Sequence, residues 1–242
     1  MATNDTEAAS APGTLRSAAR LYRTSVGKKV AMAGSGIVLF VYVVGHLLGN
    51  LKVFEGPESF NSYADWLRAT GAPALPEYGM IWAVRIILLV AVAIHVGAAL
   101  QLWRQSRAAR PQGYRFVHDI SFSYASRTMR WGGVIIAAFV VYHLLHFTVG
   151  TAHPDFEYGN PYSNVVIGLQ SPLVSGFYIL AIAALALHLY HGLWSATQTL
   201  AAVHPKYDRL RRPVALGVAV VIFIGYVSIP ISVLTGVLSL PG

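Results

Sequence analysis

Residues 78 to 103, YGMIWAVRIILLVAVAIHVGAALQLW, carry one charged side chain, Arg85, and one histidine, His95, in an otherwise almost wholly apolar run. At about 1.5 Å per residue a helix of that length exceeds the roughly 30 Å of a hydrocarbon core. Inside lipid every backbone N–H and C=O needs an internal partner, and a helix supplies one for each. Four further runs meet the same criterion: Val30 to Leu51, Trp131 to Gly150, Pro172 to Leu200 and Pro213 to Leu238. The expected fold is therefore all-α, an integral membrane bundle of five transmembrane helices. The whole chain agrees, since 55% of its 242 residues are hydrophobic and only 12% charged, a balance far from that of soluble domains.

The absence of cysteine excludes disulfides, thiolate-held iron-sulfur clusters and covalent c-type haem. A formal charge of +8 raises nucleic acid as a partner, but the basic residues sit at the edges of apolar runs and form no continuous stripe, so no nucleic-acid partner is expected. Their distribution orients the chain instead. Arg16, Arg20, Arg23, Lys28 and Lys29 precede the first span; Arg104, Arg107, Arg110, Arg115, Arg127 and Arg130 lie between the second and third; Lys206, Arg209, Arg211 and Arg212 lie between the fourth and fifth. The opposite loops hold Glu55, Glu58, Asp65, Glu77, Asp155 and Glu157 against Lys52 and Arg68. Basic short loops stay inside, which predicts a cytoplasmic N-terminus, an outer C-terminus and a multi-pass protein of the cytoplasmic (inner) membrane.

Residues 1–20 are expected to form a flexible tail, with one transmembrane domain over 21–242 and no cleaved signal. In the first outer loop, Phe60, Tyr63, Ala64 and Leu67 form an i, i+3, i+4, i+7 stripe, which predicts a short helix on the membrane surface.

Of nine histidines, six fall within the spans: His46, His95, His143, His146, His188 and His191. Ionisable groups at membrane depth are costly and face the bundle interior. Counted from the span ends, His46 lies about five residues below the outer boundary, and His143 and His146 about seven and four below it, one level in the outer half. His95 lies about eight residues from the inner boundary and His188 and His191 about twelve and nine, a second level in the inner half. Two levels, each with histidines from two helices, match the needs of two bis-histidine haems, because each iron takes one imidazole per face. For any single histidine, a buried ring bonded to nearby backbone is the plain alternative. A proton relay would need carboxylates, and no Asp or Glu lies inside a span. Each i, i+3 pair shares a helix face. Depth alone leaves His143 and His146 open and leans towards His191 over His188. Gly34, Gly36, Gly45, Gly49, Gly97 and Gly192 flank several of the histidines and would leave room for a flat macrocycle, with close helix packing the expectation for any one of them.

The motifs SVGKKVAMAGSG, GHLLGNL, NSYADWL, ARP, YASRTMRWGG, HLLHFT and HLYHGLWSATQTL, in this order over roughly residues 20 to 205, resemble those of the b558-type cytochrome b subunit of succinate dehydrogenase and fumarate reductase. That resemblance implies a five-helix anchor holding two haem b groups, with His46 and His143 on the outer iron and His95 and His188 on the inner one. It also implies an FAD-containing flavoprotein subunit and an iron-sulfur subunit as partners, membrane lipid around the chain, and a quinone, menaquinone by resemblance, as electron donor or acceptor. The chain would then be an enzyme subunit with no catalytic residue for succinate.

His146 and His191 are candidates for the haem edge, a propionate or a quinone, with simple packing the alternative, and Arg85 for a propionate of the outer haem or an interfacial arginine. Ser25, Lys28, Arg127 and Arg130 are candidates for inner propionates or a quinone headgroup, with positive-inside flanking the alternative for the charged three. Trp194 and Tyr190 line a quinone pocket or are interfacial aromatics. The basic segment between the second and third spans, which includes His118 and Asp119, is the expected dock for the extrinsic subunits, with anionic lipid as the alternative partner. Two other functions compete: the haem b subunit of another quinone-linked complex, such as a hydrogenase or formate dehydrogenase, and a haem-free transporter or structural anchor.

Overall fold

The computed structural model describes residues 20–109, 120–200 and 205–241, and only the backbone of residues 120–128, 205 and 207. Apart from Arg20, the expected tail lies outside the described residues, as do Arg110, Arg115, His118 and Asp119 of the expected docking segment and the side chain of Arg127.

Five long helices are apolar enough to cross a membrane: α1 (Ser25–Leu51), α3 (Gly79–Ala108), α4 (Ile120–Leu144), α6 (Pro172–Thr199) and α7 (Arg211–Leu234). Two short ones, α2 (Pro57–Ala69) and α5 (Pro161–Leu169), occupy the loops after α1 and α4. No strand occurs among the described residues.

Local chemistry sets the helix ends. Helix α1 starts at Ser25, ahead of the expected Val30, because the Thr24 side chain accepts from the Gly27 N–H at 3.0 Å and caps it. A 3-10 turn, Lys52–Glu55, follows α1 and stops at Gly56, whose φ of 96° suits glycine. Proline at the first turn then opens α2. The expected surface helix is present, with Phe60 buried and Tyr63, Ala64 and Leu67 half-buried along one side. Helix α5 was not expected. It begins at Pro161 after the Asn160 side chain, which accepts from Ser163 N–H at 3.2 Å. Asn61 ties α2 to it, donating to Asn160 Oδ1 and accepting from the Tyr162 N–H, each at 3.1 Å.

Helix α4 widens into a π-helical turn, Leu145–Val149, closed by Gly150 at φ 85°. There a Cβ would meet the Phe156 ring at 2.5 Å, so glycine is needed for both backbone and space. One apolar core gathers at the end of the bundle bearing α2 and α5, around Val53, Phe60, Tyr162, Val166, Tyr178, Ile229 and Val233. A second, of Leu47, Leu189 and Ile222, joins α1, α6 and α7 deeper in the bundle.

The helices are not all closely packed on one another. Helix α1 packs on α3, α6 packs on α4 and α7, and α1 also meets α6 and α7. Neither α1 with α4 nor α3 with α6 is a closely packed pair.

Candidate cofactor site

Those two loosely spaced helix pairs are the ones bridged by facing histidines. His46 of α1 and His143 of α4 have ring centroids 5.9 Å apart with planes at 81°, and His95 of α3 and His188 of α6 are 6.1 Å apart at 61°. A metal–imidazole bond of about 2 Å plus about 1 Å from nitrogen to ring centre, on both sides of one ion, also spans about 6 Å. Either interplanar angle suits a shared axis, because each imidazole plane contains its own metal–nitrogen bond and can turn about it.

Two imidazoles leave the usual four to six coordination positions of a zinc-like ion largely unfilled, and among the described residues no group of three or more His, Cys, Asp or Glu side chains gathers to fill them. A haem supplies the four equatorial nitrogens itself and asks the protein for only two axial ones. The facing pairs fit that demand.

The tautomer of His95 fits it as well. His95 Nδ1 lies 3.0 Å from the Met32 carbonyl, which can only accept, so Nδ1 carries the proton and Nε2 keeps its lone pair. This is the carbonyl-oriented arrangement of metal-ligating histidines. Ser35 Oγ approaches the same Nδ1 at 3.5 Å. Gly36 leaves the ring its place, since a Cβ there would stand 3.2 Å from His95 Cε1. In His188, Nδ1 is buried without a hydrogen-bond partner, so no local bond accounts for the position of that ring opposite His95.

Within each i, i+3 pair the structure distinguishes the members. His143 faces His46, whereas His146 is 1% exposed, bonded through Nδ1 to the Tyr178 hydroxyl at 2.9 Å, and packed on His153 and Phe147. His188 faces His95, whereas His191 lies edge-on to Trp194 at 5.4 Å. The depth-based lean towards His191 is therefore not what the geometry pairs. Level along the axis says nothing about rotation around it.

Arg85 is exposed, stacks over Trp82 at 4.9 Å, and lies near enough to Tyr42 for its charge to act there; Tyr42 in turn stacks on His46 at 5.3 Å. Lys28 is 7% exposed and makes one long bond, 3.4 Å, to the Arg23 carbonyl. It sits one and two turns before Met32 and Ser35, the residues that meet His95. Ser25 and Arg130 are exposed. Arg212 covers Trp194 at 4.6 Å, and Tyr190 is half-buried.

Of the flanking glycines, Gly34, Gly45, Gly97 and Gly192 would present a Cβ to nothing within 4 Å, so close helix packing is not their role. Gly49 is packed, against the Tyr63 ring.

Tyr178, Tyr226 and His153 were not anticipated. Tyr178 lies about six residues into α6, level with the outer histidines, and depth counting applied to tyrosines would have found it. Tyr226 approaches His46 at 6.3 Å and donates to the Val43 carbonyl at 2.7 Å. His153 lies in a loop, where depth counting has no purchase.

Comparison with known protein families, curated proteins and solved structures finds no match to this chain. The resemblance to the cytochrome b subunit therefore rests on the short motifs quoted for it.

Proposed function

We propose that this chain is a haem-b-bearing anchor in the cytoplasmic membrane, with its N-terminus inside. Its function in this proposal is to pass electrons between an iron-sulfur subunit and membrane quinone, of the menaquinone class, in a succinate:quinone oxidoreductase. One observation carries the proposal: the rings within two histidine pairs lie 5.9 and 6.1 Å apart, each pair across two helices that are not closely packed among the described residues.

His46 and His143 would hold one haem, near the end bearing α2 and α5, and His95 and His188 the other. When bound, the haems supply one-electron oxidation and reduction. The chain's part is to fix ligand orientation and exclude water. Met32 does the first for His95 through its carbonyl, and the aromatic rings around His143, from Phe139, Phe147 and Tyr178, do the second. The buried Lys28 ammonium has three donors and one long bond, which suits a propionate on the side of His95. An FAD-containing flavoprotein completes the assembly in this reading, and succinate chemistry resides there.

Pyridine haemochrome analysis of the complex tests this. Two haems per chain are expected, and none would refute it. Replacing His46, His95, His143 or His188 singly should abolish one bis-histidine signal each time, whereas His191→Ala should leave both.

A further inference from the structure

The Tyr178 hydroxyl sits between both histidines of the α4 pair, 2.9 Å from His146 Nδ1 and 3.5 Å from His143 Nδ1. Water is scarce here, with Tyr178 6% and His146 1% exposed, and the rings of Phe139, Tyr142 and Phe147 close the surroundings. A phenol has one proton to donate, and a neutral imidazole has one donor and one acceptor. The buried phenol O–H needs an acceptor of its own, and the two rings are the partners within reach, so one ring donates to the phenol oxygen while the other takes the phenol's proton. His153 does not compete. Its Nδ1 accepts the Asp155 N–H at 3.1 Å, so its proton is on Nε2 and goes to the Asn164 carbonyl at 2.8 Å.

Two directions exist for the Tyr178 chain. If the phenol donated to His143, that ring would carry its proton on Nε2 and have no lone pair left for a metal. In the other direction His143 donates from Nδ1, and Tyr178 donates to His146. The shorter contact is then the O–H donor bond, in keeping with the tighter geometry of hydroxyl donors. We infer that Tyr178 is a positioning residue that divides the roles of the pair, leaving the Nε2 lone pair of His143 available for a metal and committing His146 to a structural bond. This rests on the bis-histidine proposal above and adds to it the reason that one histidine of the pair is the ligand.

The test uses the intact complex. Tyr178→Phe removes the acceptor on His143 Nδ1–H, which weakens electron donation from that imidazole. The expected result is two retained low-spin haems, with the midpoint potential of one raised and its EPR g-values shifted while the other is unchanged. If both haems are unchanged, or both move together, the inference is overturned. His146→Leu provides a second arm should the first variant fail to assemble: both haems should remain, and the potential of one should rise by less. Loss of one bis-histidine signal in His146→Leu would make His146 the ligand and overturn the inference. A wild-type complex without haem would sink the bis-histidine proposal itself, a different outcome from an unresponsive pair of haems.

Discussion

Gly168→Ala tests the packing around the buried histidines without reference to any cofactor. A Cβ at residue 168 would lie 2.8 Å from His153 Nε2 and 3.0 Å from Cε1 and Nε2 of His146. Helix α5 has little freedom to move away. Asn160 caps its start, Asn61 binds Tyr162 N–H, and Ser175 Oγ donates to the Leu169 carbonyl at its end at 2.6 Å. One of the two rings must therefore shift. Overpacking of this kind costs about 1 to 3 kcal/mol, and loss of the His153–Asn164 bond leaves a buried donor worth about 1 to 3 kcal/mol more. Alanine in place of glycine in a helix offsets about 1 kcal/mol of this, leaving a net loss of about 1 to 5 kcal/mol. At about 2 to 4 °C per kcal/mol for a chain of this size, the midpoint should fall by roughly 2 to 20 °C. Tryptophan fluorescence of the detergent-purified chain, heated at one fixed scan rate, measures it. Gly217→Ala, where a Cβ meets nothing within 4 Å, is the control and should unfold at or above the wild-type temperature. Equal midpoints for the two variants would refute the crowding at Gly168.

Gly36→Ala places a Cβ 3.2 Å from His95 Cε1 and 3.4 Å from Nδ1; a redox titration should show one haem potential displaced and the other not. Asn164→Ala removes the bonds to Glu157 N–H at 2.9 Å and Glu157 C=O at 2.8 Å. It should destabilise by about 2 to 3 kcal/mol and speed proteolysis in the segment from 150 to 160. Tyr226→Phe loses the bond from α7 to the Val43 carbonyl, which should cost about 1 kcal/mol in thermal unfolding and leave haem content unaltered.

The five spans were legible because membrane thickness converts apolar length directly into a helix. Their ends were less so. The Thr24 cap starts α1 at Ser25, ahead of its most apolar residues, and α4 begins at Ile120, well before the expected Trp131; hydropathy does not register either. Helix α2 carried a clean periodic stripe. In α5 the residues Val165, Val166 and Ile167 run together and hide any period, although Asn160 and Pro161 mark a start. The two histidine levels followed from counting along the axis. Which ring of each pair faces across the bundle depends on rotation about the axis and on the neighbours that hold the other ring, Tyr178, distant in sequence, for one pair and Trp194, one turn on, for the other. The glycines admit two readings in sequence, because a residue with no side chain looks the same whether it packs against a helix, as Gly49 does, or borders an opening, as Gly45 does.

The pattern of touching and non-touching helices also bears on biogenesis. Helices α1 and α3 pair with each other, and α4, α6 and α7 form a contiguous group later in the chain. Each group can assemble as it leaves the ribosome and enters lipid, with α1 then meeting α6 and α7 along one seam. Nothing in that order requires His46 to have found His143, or His95 to have found His188. In the bis-histidine proposal, membrane insertion with the packing of α1 on α6 and α7 and the filling of the space between the histidine pairs are thus separable events.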